Sequence, residues 1–118
     1  MIMTDWIVFQ MNKVFKNLQV YPEQMRENLE NSKGLPMAEA VMTKLVEKGM
    51  GRGDAHELMR TCSLKAAIEN KHLLSVLLEN PKVTKLLKKK ELEDVMNPRN
   101  YLGVSDKIID QVVKKLTR

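Results

Sequence analysis

A chain of 118 residues is long enough for one domain with a modest core and too short for several. Its 20 Lys and Arg against 15 Asp and Glu leave a moderate positive charge, which permits polyanion binding without requiring it. One cysteine, Cys62, excludes an intrachain disulfide and a cysteine-based metal centre, and no apolar run is long enough to span a bilayer.

The apolar residues recur with helical rather than strand spacing. Aromatics are scarce, methionine is plentiful, and the one β-like run, Ile7-Val8-Phe9, falls inside a helical pattern. The expected fold is all-α: a compact bundle of about five to seven helices in a single domain over 1–118. In chain order, the first helix is expected over 4–18. Thr4 or Asp5 can cap it, and Ile7, Met11, Val14, Phe15 and Leu18 form its apolar stripe. Trp6, near its start, either packs on the domain or marks a surface that something else covers. Pro22 suits the first position of a second helix, Pro22–Asn31, with Glu23 in its first turn and Met25 and Leu29 as apolar positions.

Residues 36–70 read as a helical hairpin on which the fold is organised. Met37, Val41 and Leu45, with Ala38, Met42 and Val46 one row over, mark its first helix. Ala55, Leu58, Met59, Cys62, Ala66 and Ala67 mark its second. Gly49 stands where a left-handed stop is needed, and Met50 can fold back as the hydrophobic contact that goes with it. Gly51 suits the next N-cap, and Asp54 places negative charge in the following first turn. A short helix through Leu73, Leu74, Leu77 and Leu78 ends at Asn80-Pro81, and Val83, Leu86 and Leu87 add another turn or two. Lys88-Lys89-Lys90 precedes a helix from Glu91 to Met96. Asn97 to Gly103 is a structured turn. Ser105 caps a last helix through Leu116, striped by Ile108, Ile109, Val112, Val113 and Leu116.

Candidates for chemistry are few. A helical metal pair needs a second ligand at i+4, but His56 has Arg60 there and His72 has Val76. Cys62 is expected as a small buried residue, with no His or Asp beside it in sequence to activate a thiolate. Gly49-x-Gly51-x-Gly53 has the look of a phosphate loop. A helix precedes it rather than a strand, and no Lys-Ser/Thr pair follows, so helix punctuation accounts for it. Lys85, Lys88, Lys89 and Lys90 form a basic stretch. The hairpin's second helix offers only Arg60 and Lys65 on an Ala, Leu, Met, Cys surface, which does not suit a base-reading helix. No catalytic, cofactor-binding or metal-binding residue is therefore assigned, and no cofactor is expected.

The run Val20-Tyr21-Pro22-Glu23-Gln24-Met25-Arg26-Glu27-Asn28-Leu29-Glu30, then Lys33-Gly34-Leu35, resembles the adenylosuccinate lyase C-terminal domain. So do Glu39 to Met42, Leu45 to Arg52 and Ala55 to Leu58, and the turn Asn97-Pro98-Arg99-Asn100-Tyr101-Leu102-Gly103. The resemblance runs from the first helix to the end. Gly53 departs from it, standing where a helix-favouring residue is expected, at a cost of about 0.8–1.0 kcal/mol relative to Ala.

The resemblance implies an enzyme of the fumarase/aspartase superfamily, long-helix homotetramers that eliminate fumarate from a succinyl adduct; adenylosuccinate lyase does so from adenylosuccinate and from the succinyl-carboxamide ribotide of purine synthesis. It implies that the catalytic serine loop, the catalytic histidines and the phosphate-binding segment belong to the other two domains. The chain alone is then expected to be inactive, with the remainder of the parent enzyme as its partner. The first helix would continue from the central domain, and self-association through that helix is expected if its cover is missing. Both an excised domain and a natural short protein fit these features. The alternative is a stand-alone basic helical binding or interaction module; with few aromatics to stack bases, its binding to nucleic acid is expected to be weak and without sequence preference. A cytoplasmic location is expected, with no membrane partner.

Overall fold

The computed structural model describes residues 2–117. Among these, the fold is all-α, with eight α-helices, two 3₁₀ turns and no strand. The helices are α1 (Ile2–Lys16), α2 (Pro22–Asn31), α3 (Ala38–Glu47), α4 (Arg52–Ile68), α5 (Leu73–Glu79), α6 (Pro81–Thr84), α7 (Lys89–Val95) and α8 (Ser105–Leu116). The 3₁₀ turns are Leu35–Met37 and Pro98–Tyr101. α6 is only 4 residues long; the other seven helices match the expected number.

The expected hairpin is the centre of the fold. α3 and α4 pack on each other more extensively than any other pair of helices. The stop between them is a Schellman motif. Gly49 adopts φ +98°, its N–H donates to the Val46 carbonyl, and the Met50 N–H donates to the Leu45 carbonyl at 3.0 Å. Met50 folds back against the core, and Gly51 is the N-cap of α4. α4 ends in the same motif, with Asn70 at φ +54° and the Lys71 N–H donating to the Ala66 carbonyl. Asparagine takes the left-handed role there because its short polar side chain tolerates it.

The short helices α5, α6 and α7 close over the hairpin. Val41, Leu45, Ala55, Leu73, Leu77, Val83, Leu87 and Leu92 are completely buried, and Met59, Cys62, Ala66, Val76 and Met96 nearly so. Ala67, expected on the buried face of α4, is exposed. It lies at the fraying end, one position round from Ala66. Asn80 both ends α5 and caps α6, its Oδ1 accepting from the Lys82 N–H at 3.0 Å. Glu91 closes the bundle. Its carboxylate accepts from the Lys88 N–H at the start of α7 and from Lys48 Nζ at the end of the hairpin's first helix, at 2.9 and 2.6 Å.

α1, α2 and α8 stand outside this core, with no buried residue on any of them. They stretch the molecule to 62 × 30 × 26 Å and a radius of gyration of 20.4 Å. A compact chain of this length has a radius of about 13–14 Å. Three expected helices shift at their ends, α7 running Lys89–Val95 rather than Glu91 to Met96. The first helix spans Ile2–Lys16 rather than 4–18, with Asn17 and Leu18 held by turn bonds to the carbonyls of Val14 and Phe15. Ser105 is the first helical residue, and Val104 is the cap. All three are shifts of one or two residues at a helix end.

Candidate interaction surface

The side chains capable of chemistry do not converge. His56 lies on α4 and faces an open groove of about 980 Å³ with Arg52, Arg60, Glu39 and Ser63. Arg60 is engaged in a two-pronged ion pair with Glu57 at 2.6 and 2.9 Å, which holds the Glu57 carboxyl below its usual range. His72 lies elsewhere, at the start of α5. Its Nδ1 accepts from the Leu74 N–H at 3.2 Å, so it serves as the helix cap. That role escaped the sequence reading because histidine is not a usual cap; the signal was its place immediately before a leucine run.

His72 packs over Gly34, and together they mark a structural junction. Lys33 and Gly34 both have positive φ, at 52° and 75°. The Lys33 carbonyl accepts from the Leu73 N–H at 2.9 Å, and Lys33 Nζ donates to the Asn70 carbonyl at 2.8 Å and to its side chain. The end of α2 is thereby tied to the α4–α5 corner.

Cys62 is buried, and burial pushes its thiol pKa up, which suits packing rather than nucleophilic chemistry. The Gly49–Gly53 segment is helix punctuation, as its hydrogen bonds show. Lys85, Lys88, Lys89 and Lys90 are exposed. Among the described residues, no group of three His, Cys, Asp or Glu side chains could hold a metal ion, and no helix is long and apolar enough to cross a membrane.

The most distinctive surface is apolar. On α1, Trp6, Ile7, Phe9, Met11, Val14 and Phe15 are all 47–65% exposed. Trp6 does not pack into the core. α8 exposes Ile108, Ile109, Val112, Val113 and Leu116 along one side, with Asp106, Asp110, Lys114 and Lys115 elsewhere on the helix. Met25 and Leu29 are also exposed on α2. Stripes of this width on a single domain mark interaction surfaces.

The fold is shared with solved enzymes. The fold matches the crystal structure of fumarate lyase from Mesorhizobium sp. BNC1 with a TM-score of 0.73 and 41% identity, over 83% of this chain and 23% of that one. It matches the 3-carboxy-cis,cis-muconate lactonizing enzyme from Pseudomonas putida with a TM-score of 0.72 and 35% identity, over 81% of this chain and 22% of that one. The domain is therefore one carried by the fumarate lyase superfamily. Residues 34–112 match the family model described as adenylosuccinate lyase C-terminus, and the chain belongs to that family. The adenylosuccinate lyase of Methanocaldococcus jannaschii is 46% identical over 115 residues, which is 98% of this chain and 25% of that enzyme. The chain thus spans about a quarter of the length of the curated relatives it matches.

Proposed function

We propose that this chain acts as the C-terminal helical domain of an adenylosuccinate lyase, an enzyme of purine biosynthesis. The whole enzyme would release fumarate from adenylosuccinate and from the succinyl-carboxamide ribotide. The observation that carries this reading is the family match across residues 34–112, backed by an adenylosuccinate lyase 46% identical over 98% of the chain.

The reaction removes a proton next to a carboxylate while an acid assists the departing nitrogen. Both groups must lie within hydrogen-bond reach of one substrate. Among the described residues, no such pair converges. His72 is committed to capping α5, His56 faces a different groove, and Cys62 is buried. The acid, the base and the phosphate-binding groups therefore belong to other parts of the enzyme, and this domain alone is inactive. Its place in enzymes named for elimination and for lactonization supports the same division of labour, since a part common to both does not select the chemistry.

Its role is then architectural. The remainder of the parent enzyme, a homotetramer by resemblance, covers the exposed arms while the α3–α7 bundle folds on its own core. Fumarate release from adenylosuccinate, followed with the purified chain, tests this. No turnover above buffer is expected, and turnover that co-purifies with the 118-residue chain would overturn the reading.

A further inference from the structure

We propose that His72 is a pH-sensitive latch: the neutral imidazole caps α5 and holds the end of α2 to the core, and the protonated ring releases both. The proposal rests on the geometry of the junction and does not depend on the enzymatic reading. Nδ1 of His72 accepts from the Leu74 N–H at 3.2 Å. An acceptor at Nδ1 needs a free lone pair there, so the bond assigns the ring's one proton to Nε2. The imidazolium carries a hydrogen on both nitrogens and accepts nothing. Protonation therefore sets a ring N–H against the Leu74 N–H and leaves that donor unpaired. The usual caps, serine, threonine, aspartate and asparagine, stay acceptors near neutral pH. Histidine, which ordinarily titrates at about pH 6.5, does not.

The place of the ring carries the change beyond α5. Its Cε1 and Nε2 lie 2.7 and 3.0 Å from where a Cβ of Gly34 would stand, and Met96 Cε lies 2.7 Å from the same point. The turn after α2, the start of α5 and the end of α7 thus meet at His72. The first two donors of α5 are met from the two sides of this junction: Leu73 N–H by the Lys33 carbonyl at 2.9 Å, and Leu74 N–H by His72. Displacing the ring disturbs both. Charges around it act in both directions. Lys33, bonded through Nζ to Asn70, and Lys71, paired with Glu69 at 2.8 Å, oppose a further cation, as does the positive end of α5. Glu30, which lines a cavity of about 70 Å³ together with His72 and Met96, favours one. Water screens these surface charges, which leaves the lost acceptor as the deciding effect.

The test follows the 118-residue chain by NMR and urea unfolding from about pH 7.5 to about pH 5.5, across the ordinary histidine range. At the upper pH the His72 ring should be the Nε2–H tautomer. On acidification the Leu74 amide should shift with the midpoint of the ring, and the Leu73 amide should lose protection from exchange. The folding equilibrium constant should fall about fivefold, the effect of losing a helix cap. His72→Asn keeps an acceptor that does not titrate and should remove most of that fall, whereas His56→Asn should leave it in place. The tautomer and the amides are read in the original chain, so they decide whether or not a variant folds. An Nδ1–H tautomer, or a Leu74 amide that stays still while the ring titrates, would overturn the proposal. So would a His72→Asn chain whose stability falls like the original's, or a fall that disappears in His56→Asn. A Leu73 amide with unchanged protection would overturn the release of α2.

Discussion

Gly34 and Gly49 both have positive φ, but their surroundings differ. A Cβ on Gly49 would meet nothing within 4 Å, so Gly49→Ala carries only the left-handed strain, about 1–2 kcal/mol. A Cβ on Gly34 would come within 2.7 Å of His72 Cε1 and of Met96 Cε. Gly34→Ala therefore adds a clash to the strain and pushes His72 off the cap of α5. Its loss of stability in urea unfolding should exceed that of Gly49→Ala. Equal losses would show that the junction yields freely. Glu91 gives a prediction in pH. The hydrogen bond from Lys48, then that from the Lys88 N–H, holds its carboxyl below the usual glutamate value. A carboxyl depressed in the folded state stabilises above its unfolded pKa, and that contribution is lost as pH falls through the folded pKa. Glu57 and Glu69 shift the same way, through Arg60 and Lys71. Stability should therefore drop below about pH 4.3, the ordinary glutamate value. Glu91→Gln should make the drop shallower, and an unchanged profile would remove Glu91 from the account.

At the scale of elements, the contrast is between helices with a core face and helices without one. Leu45 on α3 is fully buried, whereas Ile109 on α8 is 58% exposed. Leu45→Ala should cost about 2–5 kcal/mol by leaving a cavity. Ile109→Ala should change the stability of the chain by less than about 0.5 kcal/mol. Comparable losses would mean that α8 packs on the bundle. Gly53 sits in the first turn of α4 with open space around a Cβ. Gly53→Ala should raise stability by up to about 1 kcal/mol, and a fall in melting temperature would contradict that. The order of these elements was legible because Val41, Leu45, Met59 and Cys62 repeat at helical spacing and Gly49, Pro22, Pro81 and Pro98 punctuate them. Other features were not. A stripe such as Ile108 to Leu116 shows that one face is apolar and says nothing of what covers it. Where Lys33, Gly34, Asn70 and His72 meet, the bond from Lys33 to Asn70 spans 37 positions, and no local pattern records it.

Among the described residues, one small core carries arms with no buried side chain on them. A freely folding domain of this size would pull those arms in, because burying apolar surface is favourable at about 25 cal/mol per Å². The proposed function accounts for the shape: as one domain of a longer enzyme, the chain would set those arms against surfaces outside residues 2–117. The expectation that the chain alone is inactive rests on its residue types, since His56 has Arg60 and His72 has Val76 at the i+4 position where a metal pair needs a second ligand. The family was legible in the motifs from Val20 to Leu35 and from Asn97 to Gly103. The most direct measurement is a graft. The matching quarter of the Methanocaldococcus jannaschii adenylosuccinate lyase is replaced by this chain, and fumarate release from adenylosuccinate is followed. The account predicts a folded chimera with kcat within about tenfold of the parent, a barrier change of no more than about 1.4 kcal/mol. The free chain should show no turnover. A chimera that folds and assembles but is inactive, or a free chain that is active, would contradict it.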